Sequence, residues 1–157
     1  VRIEPLARAL GVSKGGFYWH FKDRRALLDE MLDAWERSGV DEVIEAVEAG
    51  GGDARTRLRR LFTLAATSAG DLLKVELAIR DWALRDQAVA ERLRRIDNRR
   101  MDFMRPLFGA FCESKEDVEA RCLLAFSLFI GVPFVRADHR GWSRMEALEL
   151  ALDSLLR

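Results

Sequence analysis

Histidine is almost missing from these 157 residues: His20 and His139 are the only two. With so few, and with no Glu-x-x-His or nucleophile motif, acid–base and metal-assisted catalysis have little to stand on. No enzyme, metal site or cofactor is expected. Cysteine is as scarce. Cys112 and Cys122 lie in apolar helical surroundings without the Cys-x-x-Cys spacing of zinc and redox sites, which argues against a disulfide framework and fits a reducing cytoplasm. Long apolar runs are lacking too: the longest uncharged stretch, 122–135, falls well short of the roughly 20 residues that cross a bilayer. No signal-peptide pattern precedes the first helix. A cytoplasmic protein with no membrane partner is the expectation.

Net charge is absent as well, at a formal +0. Spread evenly, that would speak against nucleic acid as a partner. It is not spread evenly. Within residues 1–25 six basic side chains (Arg2, Arg8, Lys14, Lys22, Arg24, Arg25) face two acidic ones (Glu4, Asp23), a net +4 that leaves −4 for the remainder. A basic head on an acidic body has this distribution, as does a solvated surface of uneven charge.

Strand signals are nearly absent, whereas Ala, Leu, Arg and Glu dominate, so an all-α fold is predicted. The helices are delimited by their breaks. A short helix around 3–10 ends at Gly11, and Ser13 caps a second through about His20. Asp23 caps a third, which carries Leu27, Met31 and Trp35 with Leu28 and Leu32 beside them and continues to Val47. Three glycines, 50–52, end it, and Asp53 starts the next, with Leu58, Leu61, Phe62 and Ala65 on one face. Further helices are predicted near 72–84, 88–111, 117–135 and 144–156. Two of these open with a serine and an acid three residues on, Ser114/Asp117 and Ser143/Glu146, the spacing of reciprocal caps.

Residues 6–21 have the layout of a helix-turn-helix. Small Ala7 lets two helices approach and Gly11 makes the turn. Leu6, Leu10, Val12, Phe17 and Phe21 form the expected miniature core. Lys14, Gly15, Gly16, Tyr18, Trp19 and His20 then face outward. Lys14 suits guanine edges, and Tyr18 and His20 suit phosphate oxygens. Each glycine costs a helix about 1 kcal/mol relative to Ala, a cost that close backbone approach to DNA would offset. Arg24 and the free amides after Asp23 suit a phosphate. Taken alone, residues 17–21 also fit an aromatic core segment with one buried histidine.

Leu-Gly-Val-Ser followed by Phe-Tyr-Trp-His-Phe-Lys-Asp-Arg-Arg-Ala-Leu-Leu resembles the DNA-binding motif of the tetracycline-repressor (TetR) family over about residues 3–35. The resemblance implies a homodimeric transcriptional repressor whose two heads grip a palindromic operator and whose helical body binds a small-molecule inducer. Its operator-contacting positions fall on Lys14, Gly15, Gly16, Tyr18, Trp19, His20 and Arg24, with Lys22 beside them. Glu4 departs from the pattern, standing where a basic or neutral contact is usual. Val1 lies where the family's second helix begins, so the resemblance implies a further helix packed under the motif.

The implied division is a head and the start of a connecting helix over 1–36, and a ligand-binding and dimerisation domain over 37–157. Apolar side chains on the central helices give the candidate ligand wall: Phe62, Ala66, Ile79, Trp82, Phe103, Met104, Phe126 and Phe129, with Asp81, Arg99 or Arg100 to supply polarity. For any one of these residues core packing is the first reading and ligand contact the second. The stretch 122–135 is apolar all round, which requires burial on two sides. With Met145, Leu148, Leu152 and Leu155 on the last helix, the resemblance makes it a four-helix dimer interface. The alternative is a helical protein-interaction module that binds no DNA.

Overall fold

A computed structural model describes residues 2–67 and 71–157, and over these the chain is helical with no strand. Three short-range signals set the N-terminal end. Helix α1 (Ile3–Ala9) stops where Gly11 takes φ +68°, a left-handed conformation that favours glycine. Helix α2 (Lys14–His20) starts at Ser13, whose hydroxyl accepts from the Gly16 N–H at 3.0 Å. Helix α3 (Arg24–Glu36) starts at Asp23, whose carboxylate accepts from the Ala26 N–H at 2.8 Å. Both are the caps that the sequence predicts.

Packing at this end differs from the expected miniature core. Ala7 and Phe17 are buried, and Leu27 and Leu28 of α3 are buried with them. Leu10, however, is 67% exposed and Val12 47%. The left-handed turn at Gly11 carries both away from the contact centred on Ala7 and Phe17. Met31 is likewise exposed, so the buried stripe of α3 is Leu27, Leu28, Leu32 and Trp35.

Beyond Glu36 the helix does not end. It passes through a π-helical stretch, Arg37–Asp41, into α4 (Glu42–Ala49), making one rod with a local widening at Gly39. The rod is finished by Arg60, which donates to the carbonyls of Val47, Gly50 and Gly51, each at 2.9 Å. Those are the carbonyls a helix end leaves unpaired. A Cβ at position 50 would lie 2.2 Å from the Arg60 guanidinium carbon, so any side chain there would push the guanidinium off these carbonyls.

Four longer helices and a C-terminal one complete the fold: α5 (Ala54–Thr67), α6 (Asp71–Ala83), α7 (Gln87–Gly109), α8 (Lys115–Gly131) and α9 (Arg144–Leu155). Ser143 and Glu146 form the predicted reciprocal cap of α9. At α8 only half of the pattern is made: Ser114 accepts from the Asp117 N–H, while the Asp117 carboxylate turns to Arg121 instead. Charge on Arg121 outcompetes a neutral amide for that carboxylate.

Helix α7 spans two buried clusters. One gathers Leu58, Phe62, Met104, Leu107, Phe108, Cys122, Ala125 and Leu156 from α5, α7, α8 and the end of α9. The other gathers Leu32, Trp35, Val40, Ile79, Val89 and Ile96, joining α3 and the π-helical stretch to α6 and α7. The last carbonyls of the chain are held from outside. Arg55 donates to Leu156 at 2.7 Å and stacks its guanidinium 3.9 Å from the Phe111 ring centre, and Arg121 donates to Leu155 at 2.6 Å.

Candidate nucleic-acid interface and internal cavity

The surface of α2 follows from its caps and its small core. Phe17 points inward and packs against Phe21, ring centres 5.3 Å apart. Lys14, Gly15, Tyr18, Trp19 and His20 are therefore exposed, with Gly16 half-buried and Lys22 and Arg24 exposed beyond the helix. The sequence-predicted contact residues are thus exposed, apart from half-buried Gly16. Trp19 is 82% exposed, with His20 packed edge-on to its ring at 4.7 Å. His20 is exposed, which sets aside the buried-histidine reading of this segment.

Glycines 15 and 16 are not demanded by the fold. A Cβ at Gly15 would approach no described atom closer than the Ser13 hydroxyl at 3.8 Å, and at Gly16 the same hydroxyl lies 3.4 Å away. Lys14 donates to Glu4 of α1 at 2.8 Å, across the turn. The shared hydrogen bond and opposite charge lower the Glu4 carboxyl below its ordinary range and raise the Lys14 ammonium.

A second feature lies inside. A cavity of about 110 Å³ is bounded by Trp35, Gly39 and Val40 of the connecting rod and by Phe62, Phe103, Met104, Phe126 and Phe129 of α5, α7 and α8. A larger one, about 410 Å³, lies between α5, α6, α8 and α9 and shares Phe62, Ala65, Leu73, Ala125 and Phe129 with the first. Ala66 lines the larger. Six of the eight predicted wall residues are thus brought together. Ile79 and Trp82 are not: they pack in the Trp35–Val40–Ile96 cluster, because their turn of α6 faces α3 and α7. Of the polar groups considered, only Arg100 reaches the wall. Arg99 turns outward to Glu36 at 2.8 Å and Asp41 at 2.5 Å, and Asp81 pairs with Arg85 at the surface.

The sequence reading missed the group that matters most at that wall. Glu76 is a buried charged residue, 2% exposed. Its carboxylate accepts from the Trp35 indole at 2.9 Å, from Arg100 at 3.0 and 2.9 Å, and from Arg80 at 2.7 Å. Arg80 in turn holds Asp97 through two bonds of 2.9 and 2.8 Å. Two positive and two negative groups therefore balance, and both guanidiniums lie over the Phe126 ring, at 5.3 and 5.8 Å. Burial alone would raise the Glu76 carboxyl, but Arg100, Arg80 and the Trp35 N–H together hold it below the ordinary glutamate range. One clue stood in the sequence: Glu76 sits three residues after Leu73 and three before Ile79, on the buried stripe of α6.

Both thiols are poor nucleophiles. Burial pushes the Cys122 thiol up to about 11, and burial with a hydrogen bond to Asp117 raises Cys112. Among the described residues no cluster of metal-ligating side chains occurs, and no helix is long and apolar enough to cross a membrane.

No curated protein and no solved structure matches the chain. Residues 1–31 match the family model of the bacterial regulatory proteins, tetR family. Laid on the helix-turn-helix that α1 and α2 form, that match makes the N-terminal segment similar to that of bacterial regulatory proteins of the tetR family.

Proposed function

We propose that the protein is a homodimeric, cytoplasmic repressor that a small molecule releases from its operator. The division at residue 36 into a DNA-binding head and a ligand-binding, dimerising body belongs to this reading, as does the absence of catalysis. The observation that carries it is the position of Trp35. It stands on the same helix that Asp23 caps beside the recognition helix, and it forms part of the inner cavity wall. A molecule in the cavity therefore touches the rod that sets the spacing of the two heads, and ligands act by favouring one of two such arrangements.

The wall also limits the ligand. Glu76 and Arg100 are saturated by each other and by Trp35, Arg80 and Asp97, so the inner lobe favours an uncharged, mainly apolar molecule. Leu123 and Leu124 of α8, and Met145 and Leu150 of α9, are large exposed apolar side chains, which supports pairing through these helices.

Nile red, an uncharged solvatochromic dye, reports entry into the cavity, and compounds that displace it can be tested on the protein bound to its own upstream promoter DNA. Gating predicts that a displacing compound weakens DNA binding at saturation. Displacement with unchanged affinity for DNA would remove the ligand-release mechanism and leave a regulator without an inducer. The interaction-module alternative predicts no salt-sensitive DNA binding at all.

A further inference from the structure

We propose that Glu4 and Lys14 act as one unit that reads a single C·G base pair, with Lys14 donating to guanine and Glu4 accepting from the paired cytosine. The inference rests on the DNA-binding reading above and adds a sequence preference to it. The two side chains come from different helices of the motif and meet at 2.8 Å, both largely exposed, with exposed Tyr18 one helical turn after Lys14. Lys14 is the first residue of α2, the end of a recognition helix that meets base edges.

A hydrogen-bonded Lys–Glu pair offers a donor and an acceptor side by side. In the major groove a C·G pair offers the complement: guanine O6 and N7 accept, and cytosine N4–H donates. The O6 and N4 atoms are themselves held at hydrogen-bond distance by base pairing, roughly 2.9 Å, which matches the separation of the two side-chain heads. The Lys14 ammonium over O6 and N7 then leaves the Glu4 carboxylate over N4. A T·A pair fits badly. Thymine O4 and adenine N6 would serve the pair, but the adenine N7 acceptor falls beside the carboxylate and the thymine methyl beside the ammonium. The carboxylate also repels phosphates, so at a mismatched position Glu4 only weakens binding.

The test selects duplexes from a randomised library with the full-length protein, and then measures affinity by anisotropy for the four base pairs at each position. The wild type is expected to prefer C·G over T·A by about tenfold or more at one position in each half-site. Glu4→Ala and Lys14→Ala are each expected to abolish that preference at the same position, and Glu4→Gln to shift it. Two results would overturn the inference. One is Glu4→Ala raising affinity for every sequence by the same factor, which makes Glu4 a repulsive charge and nothing more. The other is relaxation at two different positions, which separates the two residues. If no sequence is enriched by the wild type, the DNA-binding reading falls and this inference with it.

Discussion

The Trp35 indole donates a 2.9 Å hydrogen bond to the Glu76 carboxylate, joining the helix that leaves the helix-turn-helix to the centre of the body across 41 residues of chain. A hydrogen bond to a buried charge contributes about 1.5–3 kcal/mol. Trp35→Phe keeps most of the ring and removes the donor, so its unfolding free energy in urea is expected to fall by that amount. The loss should shrink in a Glu76→Gln background, because the two groups act as a pair. Equal losses in both backgrounds would mean that the bond contributes nothing of its own.

Acid should destabilise the fold through this network. Arg100, Arg80 and Trp35 hold the Glu76 carboxyl lower in the folded protein than in the unfolded chain. The sign follows directly. The unfolded chain takes up the proton first as pH falls, so the stabilisation is complete above the ordinary glutamate range and is lost as pH drops through the lower, folded value. Denaturant titrations between neutral pH and pH 3 should show a steep fall for the wild type. Glu76→Gln should be less stable at neutral pH, with a shallower fall. Parallel curves for the two proteins would place the acid sensitivity elsewhere.

Most of the fold was legible because its signals are local. Ser13, Asp23, Ser143 and the glycines at 50–52 mark their helix ends within a few residues. Side-chain burial was less so. Leu10 and Val12 were expected inside, yet the turn at Gly11 exposes them, and no periodicity encodes which way a turn directs its flanks. Glu76 was missed for a different reason: its place on the buried stripe of α6 could be read, but its partners lie on three helices, and an ion pair has no sequence period. Ile79 and Trp82 share the apolar character of the cavity wall, and only the packing of α6 on α3 and α7 assigns them to another cluster.

Gly15 separates folding from function. Its φ is not in the left-handed region and a Cβ there meets only ordinary contact. Gly15→Ala is therefore expected to stabilise the protein by up to about 1 kcal/mol through helix propensity. If the backbone here approaches DNA closely, the same change should weaken DNA binding severalfold. Thermal denaturation and anisotropy on one preparation check both. A stabilised variant with unchanged DNA affinity would show that DNA does not come close to this turn.

The exposed leucines of α8 give a fourth handle. Leu123 and Leu124 are 59% and 53% exposed, whereas Cys122 and Ala125 beside them are buried. Leu124→Arg should thus leave the fold intact and convert a dimer to a monomer in sedimentation velocity, with loss of binding to a two-half-site duplex. A Leu124→Arg variant that stays dimeric would move the pairing surface off this part of α8, and a monomeric wild type would contradict the dimer itself.

The central measurement is fluorescence anisotropy of the full-length protein on its own upstream promoter DNA at two salt concentrations, for wild type, Lys14→Ala and Tyr18→Ala. Tight binding that weakens steeply with salt and falls severalfold in both variants is the predicted result. Weak binding that neither substitution alters would contradict it, making the exposed face of α2 a surface for protein rather than DNA.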